Sequence, residues 1–329
     1  MNPALDSAPS PSPQPKKAPS NLRLRAIWGA LAAALLASCT FGGPISFAIF
    51  FAAVQAVILK EFYRIMRASG HKPAFWIGIF IGLLVFLAIN FTVGYAYYAQ
   101  LFGWPTGYTI HPPIGAISEG IAGQSSIWPK LAMGIISAPF WLGGLLLMLV
   151  LLVLREVLLW PDNNHPFLNI GATITGLLYV SLPMAMLSLI AFGSGHFEPG
   201  RVFCLIVFVW AADTGAYFAG KNFGKHKLAP RISPAKTWEG WAGGALLTLA
   251  TGWAAGYFLP DIPLSHRLVA AGVVAIFGPL GDLAESMLKR SAGVKDSGTF
   301  LPGHGGLLDR FDAFLLVLPV LALLQVLVG

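Results

Sequence analysis

The sequence predicts an all-α polytopic integral membrane protein. About nine transmembrane helices are expected, with the N-terminus in the cytoplasm and the C-terminus on the outer side. Composition is the first reason: 56% of the 329 residues are hydrophobic and 11% charged, where a soluble domain carries roughly 25% charged residues. The second is that apolar runs near the ~20 residues needed to cross a bilayer recur along the whole chain. The third is the spread of lysine and arginine, which collects in alternate loops as the positive-inside rule requires. No alternating strand pattern of the outer-membrane barrel type occurs.

The elements follow in order. Residues 1–21 begin "MNPALDSAPSPSPQPKKAPS", a Pro/Ser-rich stretch read as a disordered cytoplasmic tail. Apolar spans are expected at about 22–40, 44–65, 74–100, 131–154, 170–192, 202–219, 241–258, 267–288 and 311–328. With the N-terminus inside, Lys16, Lys17, Arg23, Arg25, Arg64, Arg67, Lys72, Arg155, the run Lys221 to Lys236 and the run Lys289 to Arg310 all face the cytoplasm. Only Lys130, Arg201 and Arg267 face outward. The net charge of +7 therefore marks the cytoplasmic face. It suits anionic headgroups or anionic substrates, and no nucleic-acid module is present.

"LASC" at Cys39 has the form of a lipoprotein cleavage box, but the tail before it is too long for a charged n-region, so the stretch is read as a first membrane helix. Cys39 and Cys204 both lie in spans, which argues against a disulfide framework. Glu61 sits near a helix end, and its sequence leaves two readings open: a snorkelling surface charge or a partner facing the bundle. Residues 103–126 form an outward loop in which His111 is read as an ordinary loop residue. Gly78 with Gly82, and Gly240 with Gly244, have the small-residue spacing that lets helices approach closely. The region 22–200 is otherwise poor in chemistry. Residues 201–329 form the catalytic part, with motif loops at 220–240 and 289–310.

More than half of the 14 acidic residues lie between Asp213 and Asp312. In "WAADTGAYFAGKNFGKHKLAPRISPAKTWEG", Asp213 stands inside an apolar span, where an isolated carboxylate costs several kcal/mol. The loop after it interleaves lysines with glycines, a composition that suits a bulky phosphate anion. Ser233 and Thr237 suit capping or phosphate contact, and Glu239 suits the first turn of the next helix. Alone, this stretch also reads as a common positive-inside loop. "GDLAESMLKR" then puts Asp282, Glu285, Ser286 and Lys289 on one helical face. A polar stripe on an apolar helix must look into a protein cavity. Lys295, Asp296, the turn "SGTFLPGHGG" with His304, and Asp309, Arg310 and Asp312 follow. Acids closing one helix and opening another can converge on one point, with oxygen ligands suited to magnesium. "SMLK" fits a Ser-x-x-Lys pattern but lacks its partner motifs, and there is no Walker loop or Rossmann fingerprint.

The segments "SMLKRSAGVKDSGTFLPGHGGLLDRFD" and "DTGAYFAGKNFGKHKLAPRISPAKTWEG" resemble the signatures of the phosphatidate cytidylyltransferase (CDP-diacylglycerol synthase) family. The similarity is dense from about residue 170 to 320 and weak before that. The resemblance implies transfer of the cytidylyl group of CTP to phosphatidate, giving CDP-diacylglycerol and pyrophosphate. It implies magnesium, alone or with a second cation. It also implies Asp282 and Asp309 as metal ligands, with Asp296, Asp312 and Asp213 as supporting or additional acids. Lys236, Lys289, Arg290, Lys295, His304, Arg310, Ser233 and Thr237 would then hold the substrates. The expected partners are phosphatidate, CTP and membrane lipid, with a homodimer left open, in the inner membrane with the site facing the cytoplasm. Two alternatives are a CTP-dependent lipid-alcohol kinase, against which the full signature argues, and an anion transporter. A transporter would place its site at mid-membrane between repeats, and no repeat is visible.

Overall fold

A computed structural model describes residues 22–103, 127–163, 165–193, 196–298, 300 and 305–328, with 22–26, 127–141 and 326–328 described by backbone alone. The tail at 1–21, His111 and His304 lie outside the described residues. Helices dominate: α1 (Leu22–Phe41), α2 (Pro44–Ala68), α3 (Phe75–Val93), α4 (Tyr95–Phe102), α5 (Ile127–Leu158), α6 (Pro166–Gly176), α7 (Leu182–Ala191), α8 (Pro199–Phe223), α9 (Trp238–Ala254), α10 (Leu264–Ser291) and α11 (Leu308–Val328). Among the described residues, five helical segments, Pro44–Ala68, Phe75–Val93, Pro166–Ala191, Pro199–Phe223 and Leu264–Ser291, are long and apolar enough to cross a membrane. Their outer surfaces are equally apolar: Trp76 and Phe167 are each 78% exposed. Aromatic rings turned outward on helix after helix are stable against lipid and not against water. The chain is an all-α membrane protein.

The core forms around α2. Phe47, Phe51, Ile58, Leu59, Phe62 and Tyr63 are fully buried and meet Met184 of α7 and Leu315 and Leu318 of α11. Gln55 Nε2 donates to the Gly82 carbonyl at 2.7 Å, across the α2–α3 contact. A π-helical turn at Leu177–Ser181 joins α6 to α7. Pro183 lies just beyond it and has no N–H to give to the Tyr179 carbonyl, so the turn widens there.

The motif loop between α8 and α9 is not purely irregular. It holds a two-stranded antiparallel hairpin, β1 (Lys227–Ala229) and β2 (Ser233–Thr237). A turn between them is closed by the Ile232 N–H donating to the Ala229 carbonyl at 3.1 Å, with Pro230 in its second position. The hairpin returns the chain to α9, which lies tightly along α8. A Cβ on Gly244 would sit 2.7 Å from the Ala212 carbonyl oxygen, so only glycine permits that approach.

The membrane-proximal half also contains a polar knot that composition did not announce. Buried Glu156 pairs with Arg155 and accepts from Asn163 at 3.0 Å and Asn169 at 3.2 Å. Asn169 in turn accepts from the Lys72 backbone N–H, and Thr173 accepts from that of Ala74, each within 2.8 Å. These bonds fasten the α2–α3 loop to the ends of α5 and α6. Each polar group in them has a partner, the condition for burial without large cost.

Candidate active site

The candidate site is built where α8 and α10 end and α9 and α11 begin. α10 and α11 cross closely at Gly281: a Cβ there would lie 2.9 Å from Ala313 Cα and nearer still to the Asp312 carbonyl oxygen. This contact sets Asp282 beside Asp312. With Glu285 one turn further along α10, the three carboxylates offer oxygens all within 4.8 Å of one another. Glu285 is buried, and its Oε1 has no hydrogen-bond partner among the described residues.

Two lysines flank the acids, and each is pinned. Lys236, one residue before the α9 cap, contacts Asp282 Oδ2 at 2.6 Å and donates to the Pro279 carbonyl at 3.2 Å. Pro279 interrupts α10, and its missing N–H leaves the Ala275 carbonyl free. The indole N–H of Trp241 takes that carbonyl at 2.9 Å, so α9 repairs the break in α10. Lys289 contacts Glu285 Oε2 at 2.8 Å and Asp309 Oδ1 at 2.6 Å, joining α10 to α11.

Asp309 is occupied on both oxygens. Its Oδ2 accepts from Ser297 Oγ at 2.8 Å, the Gly306 N–H at 2.9 Å and the Ser297 N–H at 3.3 Å. Behind it stands Glu61 of α2, buried, whose Oε2 accepts from the Leu308 N–H at 2.8 Å and Ser297 Oγ at 3.3 Å. Of the two readings open for Glu61, the structure takes the bundle-facing one. The carboxylate caps the N-terminus of α11, where orphan N–H groups and the helix dipole both favour negative charge.

The remaining residues sort themselves around this centre. Asp213 lies within electrostatic reach of Asp282, Lys236 and Arg310, and Asp312 within reach of Asp282, Asp213 and Lys236. Thr237 is buried and caps α9 through the Gly240 N–H at 3.1 Å, so its hydroxyl is used structurally. Ser233 sits in β2, and Arg290, Lys295 and Asp296 are exposed around the end of α10 and the turn after it. The structure therefore brings Asp282, Asp312, Asp213, Lys236, Lys289 and Arg310 together and leaves Asp296, Arg290 and Lys295 at the rim. Glu239 holds the hairpin. It accepts from the Lys225 and His226 N–H groups at 3.1 and 3.2 Å and meets His226 Nδ1 at 2.6 Å. Hydrogen bonds from its own N–H, the His226 ring and these amides lower its pKa from 4.5 to about 2.

Sequence reasoning placed Glu285 on the polar stripe without assigning it to the site; its i+3 spacing from Asp282 was the available signal. Ser297 and the buried, unpartnered hydroxyl of Tyr179, which interacts with Asp312 and Glu285, gave none.

This is an all-α membrane protein whose helix ends gather carboxylates and lysines at one edge of the bundle, a class suited to handling phosphorylated lipids or nucleotides. Residues 23–328 match the family model described as "Cytidylyltransferase family". A phosphatidate cytidylyltransferase of Haemophilus influenzae is 32% identical over 297 residues, 88% of this chain and 93% of that one. Proteins of the same name from Bacillus subtilis and Staphylococcus saprophyticus are 54% identical over 122 residues and 40% identical over 175. Those two alignments cover 36% and 53% of this chain, and 45% and 66% of the relatives' own lengths. The chain belongs to the cytidylyltransferase family.

Proposed function

We propose that the chain transfers the cytidylyl group of CTP to phosphatidate, producing CDP-diacylglycerol and pyrophosphate. The observation that carries this reading is the convergence of Asp282, Glu285 and Asp312 between two pinned lysines, at a helix-end junction of a cytidylyltransferase-family chain. The phosphate monoester of phosphatidate is already an oxygen nucleophile, so no side chain has to be activated as one. An oxygen of the lipid phosphate bonds to the α-phosphorus of CTP. The bond from that phosphorus to the α–β bridging oxygen breaks, and its electron pair leaves on pyrophosphate.

Repulsion between the two anions makes most of the barrier. Lys236 and Lys289, each held by two partners, present positive charge in a fixed place before substrate arrives. Arg310, beside Asp213, extends that charge toward the triphosphate. The donor set also fits magnesium. Its ligands are hard carboxylate oxygens, carboxylates outnumber the basic side chains among them, and one oxygen of Glu285 is buried with no hydrogen-bond partner among the described residues. Asp282, Glu285 and Asp312 would hold the ion, which when bound supplies neutralisation of triphosphate charge. Asp309, a metal ligand by family resemblance, stands outside the three converging carboxylates and is bonded on both oxygens, Oδ1 to Lys289 and Oδ2 to Ser297 and the Gly306 N–H.

The basic residues support nine crossings with the N-terminus and the active site on the cytoplasmic side of the inner membrane. A site at the membrane edge admits CTP from water and phosphatidate from the side.

Purified protein in detergent, given magnesium, phosphatidate and CTP labelled at the α or the γ phosphate, tests the reading. Label from α in lipid and from γ in pyrophosphate is expected, with Asp282→Asn, Glu285→Gln and Asp312→Asn each slowing transfer by ~10²-fold or more. Label from γ in lipid would make the enzyme a CTP-dependent lipid kinase. Full activity after metal chelation would remove the magnesium assignment.

A further inference from the structure

At the end of the bundle opposite the acidic site, a cavity of about 480 Å³ opens where α7 and α11 finish and α8 and α10 start. Its size falls within the range of small-molecule pockets, about 300–1,000 Å³. Leu205 and Phe208 of α8 with Leu321 and Leu324 of α11 supply apolar lining. The charged lining is two guanidinium groups, Arg201 of α8 and Arg267 of α10, against a single acid, Asp261. Arg201 is already paired with Glu198. Arg267 is not satisfied in this way. One Nη donates to the Trp253 carbonyl at 3.3 Å, while its Nε is buried without an acceptor among the described residues. The guanidinium packs directly over Gly256, where a Cβ would occupy its place, so it is held at the cavity wall.

A buried donor on a permanent cation, left unpaired, costs about 1–3 kcal/mol or more. A water molecule at the guanidinium would leave the apolar lining without contents. An acceptor attached to a hydrocarbon chain satisfies both. We propose that this cavity binds a phospholipid, with a phosphate oxygen on Arg267 and an acyl chain along Leu205, Phe208, Leu321 and Leu324. The site is separate from the catalytic one. Arg267 and Asp282 lie on the same helix fifteen residues apart, about 22 Å at 1.5 Å per residue.

Native mass spectrometry of the full chain in detergent tests this with dioleoylphosphatidylglycerol, dioleoylglycerol and inorganic phosphate as separate probes. The phospholipid should be retained at least ~10-fold better than either part. Arg267→Gln should lower its retention to the dioleoylglycerol level, and Leu324→Trp, which fills the cavity, should abolish it. Lys236→Gln, at the catalytic end, should leave this retention unchanged. A second readout leaves both cavity walls intact: in Cys39→Ser protein, the phospholipid should slow alkylation of Cys204, which lines the cavity. Equal retention of dioleoylglycerol or of free phosphate overturns the proposal. So does loss of binding in Lys236→Gln but not Arg267→Gln, or Cys204 alkylation indifferent to lipid. None of these outcomes bears on whether cytidylyl transfer occurs.

Discussion

Gly281→Ala probes the crossing that assembles the site. The added methyl would lie 2.9 Å from Ala313 Cα and 3.0 Å from the Asp312 carbonyl carbon, with the carbonyl oxygen closer still. Carbon atoms in favourable contact stand about 3.5–4.0 Å apart, so α10 and α11 must separate by roughly 0.5–1 Å. All of the obstructing atoms are backbone or Cα, so no side-chain rotation relieves the clash. Overpacking of this kind costs about 1–3 kcal/mol. The displacement acts directly on the spacing between Asp282 and Asp312, and a misplacement near 1 Å can cost ~10²-fold in rate. Transfer of α-label from CTP into lipid should therefore fall ~10²-fold, with a modest drop in thermal midpoint. Gly272→Ala serves as the control: nothing stands within 4 Å of its Cβ position on the same helix. Alanine there should be neutral or stabilising by up to ~1 kcal/mol. If Gly281→Ala keeps wild-type turnover and thermal midpoint, the close crossing is not what positions the acids.

Lys289→Met should unfold more easily as well as lose activity, because buried Glu285 would lose its basic partner and Asp309 one of its bonds; removing one member of a buried pair costs about 3–5 kcal/mol. Chemical denaturation in detergent checks it. Glu61→Ala should cost about 1–3 kcal/mol by orphaning the Leu308 N–H. It should also raise hydrogen exchange at Ser297 and across 305–309, and unchanged exchange there would show that the carboxylate does not hold the start of α11. Glu239 has a depressed folded-state pKa of about 2, so its contribution to hairpin order is present above the unfolded value of 4.5 and lost as pH falls toward 2. Fluorescence of the adjacent Trp238 and Trp241 should report an acid transition in that window, absent in Glu239→Gln.

The sequence alone determined the class of protein, the approximate helix positions and the polar segments that carry the chemistry. These are local properties: a run of apolar residues is costly anywhere but in lipid, and "GDLAESMLKR" shows its one-sided stripe without reference to any other segment. Glu285 was visible on that stripe, three residues after Asp282. Tertiary structure decided which of the charged residues meet. Glu61 anchors Leu308 and Ser297 from 247 and 236 residues away, and nothing in "LKEFYRI" encodes that distance. Asp309 and Asp312 look equivalent in "LLDRFD", and three residues apart they share a helix face. They differ in level along α11: Asp309, in its first turn, meets Lys289 and Ser297, while Asp312, a turn further in, meets the α10 crossing at Gly281 beside Asp282. Which carboxylate meets which partner depends on where each falls along the α10–α11 crossing, and packing between backbones sets that crossing.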